Sequence, residues 1–288
     1  MLKTSTEIRS VANKVGEKRA VEMIAKAGFD GWDFSMLSMV KYDWGSNKCS
    51  PCEHPLAGSE AYRYARNLRK VGEDCGIVCN QSHAPYPTYC PEIAATYEKC
   101  IELTAEAGGG ICVIHPDNYK SAEENAEMFL RLLPVARACN VKIATENMWS
   151  WSDATQSASF AACSNPKSFL EHMEAVNDEY FVACLDVGHA ELKGLDTNAV
   201  EMIEALGHHL QALHLHDNDR RGDRHRIPFS DSLDFDAITR ALKRIGYSGF
   251  LTLEAVMHMS SFTAENAHVG VQELADSAKR LAIMVDNA

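Results

Sequence analysis

Phe181-Val-Ala-Cys-Leu-Asp-Val-Gly-His189 is an apolar run of strand length that ends on a carboxylate, then turns through a glycine onto an imidazole. Five further runs share its form: Ile77-Val-Cys-Asn-Gln-Ser-His83, Ile111-Cys-Val-Ile-His115, Val141-Lys-Ile-Ala-Thr-Glu146, Leu210-Gln-Ala-Leu-His214 and Gly249-Phe-Leu-Thr-Leu-Glu254. Their end-points follow one another at intervals of 28 to 40 residues, enough for a strand, a loop, a helix and a return. Chemistry in a (β/α)8 barrel sits where strands finish, so a metal-type side chain closing each buried run is expected of that fold. One such histidine would mean little. Six in phase point to a common centre.

The remaining chain fits this architecture. Its 288 residues suit one α/β barrel, so the expected organisation is a single domain over residues 1–288. With 46% hydrophobic and 24% charged residues it can bury a large core and carries no signature of disorder. No apolar run approaches the roughly 18 residues needed to span a bilayer, and the opening Met1–Ala20 stretch is too polar for a signal peptide. A cytoplasmic protein without membrane partners is expected. The 10 cysteines are scattered, several inside apolar runs (Cys79, Cys112, Cys184), which argues against a disulfide framework. Cys49-Ser-Pro-Cys52, followed by His54, has no second half of a zinc knuckle and reads as a loop with free thiols. A net charge of −12 argues against tracking a nucleic-acid backbone.

Apolar strands alternate with amphipathic helices throughout. A first strand is expected within residues 3–11, a helix near 16–27 and a strand over 31–34. A long loop (36–57) precedes a helix near 58–74. A helix around 91–107 stops at Gly108–Gly110, Ser121 opens another through a capping box with Glu124, and Ser164-Asn-Pro166 starts the next. Ala-Gly28-Phe-Asp-Gly31 and Ile-Gly246-Tyr-Ser-Gly249 are similar helix exits, each with a glycine suited to the C-cap. The count is eight strands.

Glu146, Asp186, His214 and Glu254 supply three carboxylates and one imidazole. Hard oxygen donors with a nitrogen suit Mn²⁺, Mg²⁺, Co²⁺ or Zn²⁺, and the absence of thiolate speaks against a closed structural zinc site. Two glutamates flanking a bound polyol could also exchange a carbon-bound proton. Each residue taken alone is more often a solvated or hydrogen-bonded loop side chain than a ligand.

Thr145-Glu146-Asn147-Met148, Leu185-Asp186-Val-Gly-His189-Ala-Glu191 and Leu213-His214-Leu-His216-Asp217-Asn-Asp219 resemble motifs of the xylose-isomerase-like barrel superfamily. That group includes sugar-phosphate isomerases and epimerases, keto-hexose 3-epimerases and endonuclease IV. The resemblance runs from residue 83 to residue 254. It implies that Glu146, Asp186, His214 and Glu254 share a metal, that Glu146 and Glu254 are the acid/base pair, and that His189 and Arg220 contact substrate. The similarity to endonuclease IV, which binds three zinc ions, extends to His83, His115, His189, Asp223 and His225 as further ligands. It is carried by Asp223-Arg-His225, a spacing that lies on a loop.

Arginines 220, 221, 224 and 226 could receive an anionic group, or could pair with Asp217, Asp219, Asp223 and Asp231. Aromatic residues mark other mouth loops: Tyr42, Trp44, Tyr86, Tyr89, Trp149 and Trp151. Rings such as that of Trp149 can cover a sugar face or act as packing. His172, His208, His209, His258 and His268 read as surface or packing residues, and Glu191 as an outer partner of the site. The expected activity is metal-dependent isomerisation or epimerisation of a sugar, polyol or sugar phosphate through an enediolate, with one divalent ion. The alternatives are a phosphodiesterase with three zinc ions, a metal-dependent lyase or dehydratase on a sugar-like substrate, and a barrel that binds without turnover. Homo-oligomers are common among the relatives, but the sequence shows no interface.

Overall fold

A computed structural model describes residues 1–288. Eight parallel strands form the barrel: β1 (Thr4–Glu7), β2 (Gly31–Ser35), β3 (Val78–His83), β4 (Ile111–Val113), β5 (Lys142–Glu146), β6 (Phe181–Asp186), β7 (Leu210–His214) and β8 (Leu251–Leu253). Hydrogen bonding runs in the order β7-β6-β5-β4-β3-β2-β1-β8. Leu215 bridges Leu253 and closes the ring, with the Leu215 N–H donating to the Thr252 carbonyl at 2.9 Å. Burial on both faces explains the near-continuous apolar runs; every residue of β6 is buried.

The main core lies between the strands and the surrounding helices, as a cluster of 67 buried residues that includes Trp32, Phe34, Phe129, Phe169 and Phe181. Inside the barrel the side chains are smaller: Val113, Ala144, Val182, Cys184 and Ala212 pack together. Below them, Ser5 Oγ donates to Thr252 Oγ1 at 2.8 Å, and Asn80 Nδ2 donates to the same oxygen at 3.0 Å.

Local signals in the sequence act as expected. Ser121 and Glu124 form the reciprocal capping box of helix Ala122–Cys139, and Asn165 caps Pro166–Val176 with proline in its first turn. Gly28 (φ +99°) and Gly246 (φ +68°) take the left-handed geometry that a helix exit requires. The helices expected near 16–27 and 58–74 are Glu17–Ala27 and Ala61–Cys75.

Other boundaries differ. The stretch 36–57 is not an open loop: Lys41–Asp43 pairs with Lys48–Ser50 as an antiparallel hairpin flanked by short 3₁₀ turns. Its strands are only three residues long, with Tyr42 and Cys49 half-buried between exposed neighbours, too short for an alternation to mark them. A second small hairpin joins Ser150–Ser152 to Ser157–Ser159. The helix expected over 91–107 is broken at Ala95–Thr96 into Pro91–Ala94 and Tyr97–Glu106. An extra helix, Arg9–Val15, follows β1. No helix is long and apolar enough to cross a membrane. All ten cysteines are free, and His54 pairs with Glu17 at 2.8 Å.

Candidate functional site

All eight strands present an ionisable side chain at or near their C-terminal end. His83, Glu146, Asp186 and His214 are the last residues of β3, β5, β6 and β7; His115 and Glu254 lie just beyond β4 and β8. Glu7 and Asp33 complete the ring from β1 and β2. Sequence reading missed both, because Thr4–Glu7 is polar and Asp33 sits inside its strand. Their burial is what distinguishes them, with 5% and 1% exposure.

At the centre, His214 Nδ1 is 3.1 Å from Glu146 Oε2 and 3.5 Å from Glu254 Oε2. Glu146, Asp186, His214 and Glu254 bring four ligand-type atoms within 4.8 Å of one another. On one side, His83 and His115 approach to 3.1 Å (Nε2 to Nε2) and lie 3.6 and 3.4 Å from Glu146 Oε2. On the other side, Asp223 Oδ2 is 3.1 Å from Nε2 of both His189 and His225. Residues singled out on six strands and one loop therefore meet in one centre.

His216 was in view as part of a motif but without a role. It is fully buried, its Nε2 lies 2.9 Å from Asp186 Oδ1, and its ring stacks on His225 with centroids 4.0 Å apart. Gly188 leaves room for it; a Cβ at that position would collide with the imidazole.

Backbone contacts set the orientation of these rings. Nδ1 of His83, His189 and His225 lies within hydrogen-bond reach of the carbonyls of Ala84 (2.8 Å), Asn147 (2.9 Å) and Glu254 (2.8 Å). Donation from Nδ1 turns each Nε2 toward the centre, where it could ligate a cation on losing its proton. His214 is reversed: its Nε2 faces Asp33 Oδ2 (3.3 Å), which also accepts from Gln81 Nε2 (3.0 Å), so Nδ1 is the inward atom. Asp186 Oδ1 caps the short helix Val187–Ala190 by accepting from the His189 N–H at 2.8 Å.

Several oxygens are left over. Glu146 Oε2, Asp186 Oδ2 and Asp223 Oδ1 are buried with no hydrogen-bond partner. Buried carboxylate oxygens without donors are costly, and convergent lone pairs from imidazoles make the arrangement suited to divalent cations. The donor set and its orphaned oxygens thus fit a divalent metal.

The electrostatics agree. Burial alone would push the Glu146 carboxyl up, but the imidazoles of His214 and His115 overcome it and hold the group well below the usual range. Asp186 is likewise held at about 2 by His189 and His216 against burial. His225 is raised to about 10 because Asp223 outweighs the burial penalty, whereas burial dominates at His115 and lowers it.

Glu7 shows the opposite case. Burial pushes its carboxyl up to about 7, despite hydrogen bonds from Ser10, and the charges of Glu254 and Asp33 add to the rise. Below pH 4.5 both folded and unfolded chains hold this proton. Between pH 4.5 and about 7 only the folded chain holds it, so stability falls as pH rises through that window. Glu7→Gln should therefore gain about 3 kcal/mol relative to the parent between pH 4.5 and pH 8. Urea unfolding of both proteins at each pH checks this; an unchanged difference would refute it.

A cavity of about 250 Å³ opens over the centre. Its wall includes His83, His115, Glu146, His189, Asp223, His225 and Glu254, with Trp44, Tyr86, Tyr89, Tyr119 and Trp149 as aromatic cover. Arg220 takes no part: its guanidinium pairs with Glu191 at 3.2 Å. Arg224 pairs with Asp219 (2.9 Å) and Asp231 (3.2 Å), so these two mouth arginines are engaged within the protein. His172 is a packing residue, held by Asn125 and the Ser168 carbonyl.

Asp33→Asn would keep the shape but remove the anion that faces His214 Nε2. Losing such an outer partner typically costs 10–100-fold in metal affinity. That loss, with an unchanged circular dichroism spectrum, is the expected result of a zinc titration; parent-like affinity would refute it.

An eight-stranded barrel with a ring of histidines and carboxylates at its C-terminal face defines the class. Residues 21–281 match the model of the xylose isomerase-like TIM barrel family, and the chain belongs to that family. An uncharacterized protein of Methanocaldococcus jannaschii is 24% identical over 255 residues, covering 82% of this chain and 78% of its own. The fold is similar to that of a D-tagatose 3-epimerase-like protein (20% identity, 99% of both chains, TM-score 0.71). It is equally similar to that of the IolI protein with a binding zinc atom (18% identity, 99% of both chains, TM-score 0.70).

Proposed function

We propose that this chain is a divalent-metal-dependent isomerase or epimerase acting on a sugar or sugar-like polyol. The observation that carries the reading is the pair Glu146 and Glu254, which face one cavity from β5 and the end of β8 with His214 between them. A divalent ion held by Glu146, Asp186, His214 and Glu254 would supply Lewis-acid polarisation of a carbonyl and chelation of adjacent oxygens.

One glutamate removes the proton from the carbon beside the carbonyl and the other returns a proton, giving an enediolate between the two steps. His189 lines the same wall and can donate to an oxygen that gains charge. The aromatic cover limits water around the exchanging proton. The D-tagatose 3-epimerase-like protein among the similar folds and the zinc of the IolI protein are consistent with this reading.

The decisive experiment incubates metal-loaded protein with keto-hexoses in D₂O and follows deuterium at the carbon next to the carbonyl. Absence of exchange with every keto-sugar tried would refute the proposal. A second reading, a trinuclear phosphodiesterase, draws on the two flanking groups, His83–His115–Glu146 and Asp186–His189–His216–His225. It requires three metal ions per chain and nicking of abasic-site DNA. A lyase acting beside a carbonyl would show the same exchange, followed by loss of water or of a leaving group.

A further inference from the structure

The cavity wall contains 17 residues and not one lysine or arginine. A phosphorylated sugar would find no cationic side chain of either kind there to receive its phosphate. The wall is aromatic instead, and its rings form a connected series. The His115 ring stacks on Tyr86 (centroids 4.8 Å, 14° between planes), and Tyr86 leads to Trp44 at 6.2 Å. Trp44 packs edge-on against Tyr42 at 5.0 Å; the Tyr42 hydroxyl is 3.4 Å from that of Tyr89, whose ring lies 6.0 Å from Tyr119.

This track starts at the ionisable floor and runs outward across three loops. It ends on Trp44, Tyr89 and Tyr119, which are 60%, 41% and 78% exposed. Single exposed aromatics need no explanation; a connected series continuous with a cavity marks a ligand groove. Aromatic faces suit the C–H faces of pyranose rings, and hydroxyls such as those of Tyr89 and Tyr119 suit their edges.

We propose that the substrate is an uncharged glycoside with two rings: the reacting keto-sugar lies over the histidine and carboxylate floor, and the second ring stacks on Trp44, Tyr89 and Tyr119. This rests on the isomerase reading and narrows it, by setting phosphate esters aside and adding a binding subsite. Neighbouring copies of the chain are the other candidate cover for the same rings.

The test compares three probes on metal-loaded protein: a keto-hexose, its phosphate ester, and reducing disaccharides in which that keto-hexose carries glucose on different hydroxyls. Binding is read by tryptophan fluorescence and calorimetry, and turnover by deuterium exchange, so failure of exchange alone counts against the isomerase reading and leaves the binding result to decide the subsite. At least one disaccharide should bind about 10-fold tighter than the keto-hexose. Trp44→Ala and Tyr119→Ala, both at exposed positions, should remove that advantage, weakening disaccharide binding about 10-fold more than keto-hexose binding. Tighter binding of the phosphate ester, or no gain from any second ring, would overturn the proposal. So would a Trp44→Ala effect on sedimentation with none on disaccharide binding, since that outcome assigns the rings to self-association.

Discussion

Glu254→Gln is expected to lower deuterium exchange into a bound keto-sugar by about 10²–10⁴-fold, the usual contribution of a positioned acid or base. Glu254 is the right residue to alter because it follows β8 directly and is partly open to the cavity, so the amide fits without repacking the core. Its backbone also serves His225: the Glu254 carbonyl lies 2.8 Å from His225 Nδ1, a contact the substitution leaves alone. The amide oxygen keeps one neutral donor toward a metal while losing the proton-accepting carboxylate. Measuring metal content beside exchange therefore separates lost chemistry from a lost ion. Exchange near the parent rate, with metal retained, would sink the two-glutamate mechanism.

Removal of the divalent ion should cost about 4 kcal/mol of stability when compared with protein held at a thousandfold excess of metal over its dissociation constant. For a chain of this size that is a fall of roughly 10 °C in Tm. The physical source is the set of buried oxygens without donors on Glu146, Asp186 and Asp223, which a cation would satisfy. Without the ion, protons take its place: His225 is held at about 10, and His189 and His214 well above the ordinary imidazole value. Raised groups of this kind stabilise the folded chain below pH 6.5, and that contribution is lost as pH rises toward about 10.

Metal-free protein should thus lose stability through that window, while the apparent metal affinity rises as protons leave. Calorimetric melts of chelated and zinc-loaded protein between pH 6 and 9 measure both trends. Identical melting temperatures with and without zinc, and likewise with manganese, magnesium and cobalt, would show that the centre holds none of these ions. Elemental analysis then counts ions: one per chain fits the isomerase, and three would favour the phosphodiesterase.

Much of the centre was legible because barrel strands of this fold obey a simple rule. A strand buried along its length reads as an apolar run, and its final residue is placed by the register of the sheet, so spacing alone aligned His83, Glu146, Asp186 and His214. Asp223 and His225 lie on a loop and carried no such phase; similarity to a known motif found them. Glu7 and Asp33 were invisible, since a polar tetrapeptide such as Thr4–Glu7 has no apolar period to mark a strand. The hairpin Lys41–Ser50 was likewise hidden, although it carries Trp44 into the cavity wall.

The amino-acid sequence by itself determined the eight-strand barrel, the caps and exits of its helices, and a ring of metal-type side chains at one end. Those properties follow from local periodicity and from the one-dimensional spacing of βα units. Only the tertiary structure decided which imidazole nitrogen faces inward, because that depends on carbonyls of other residues and, for His214, on Asp33 across the barrel. It also decided that Arg220 serves Glu191, that His216 braces Asp186, and that the cavity wall is aromatic and without lysine or arginine. Side-chain orientation is a property of packing between distant segments, and no pattern along the chain encodes it.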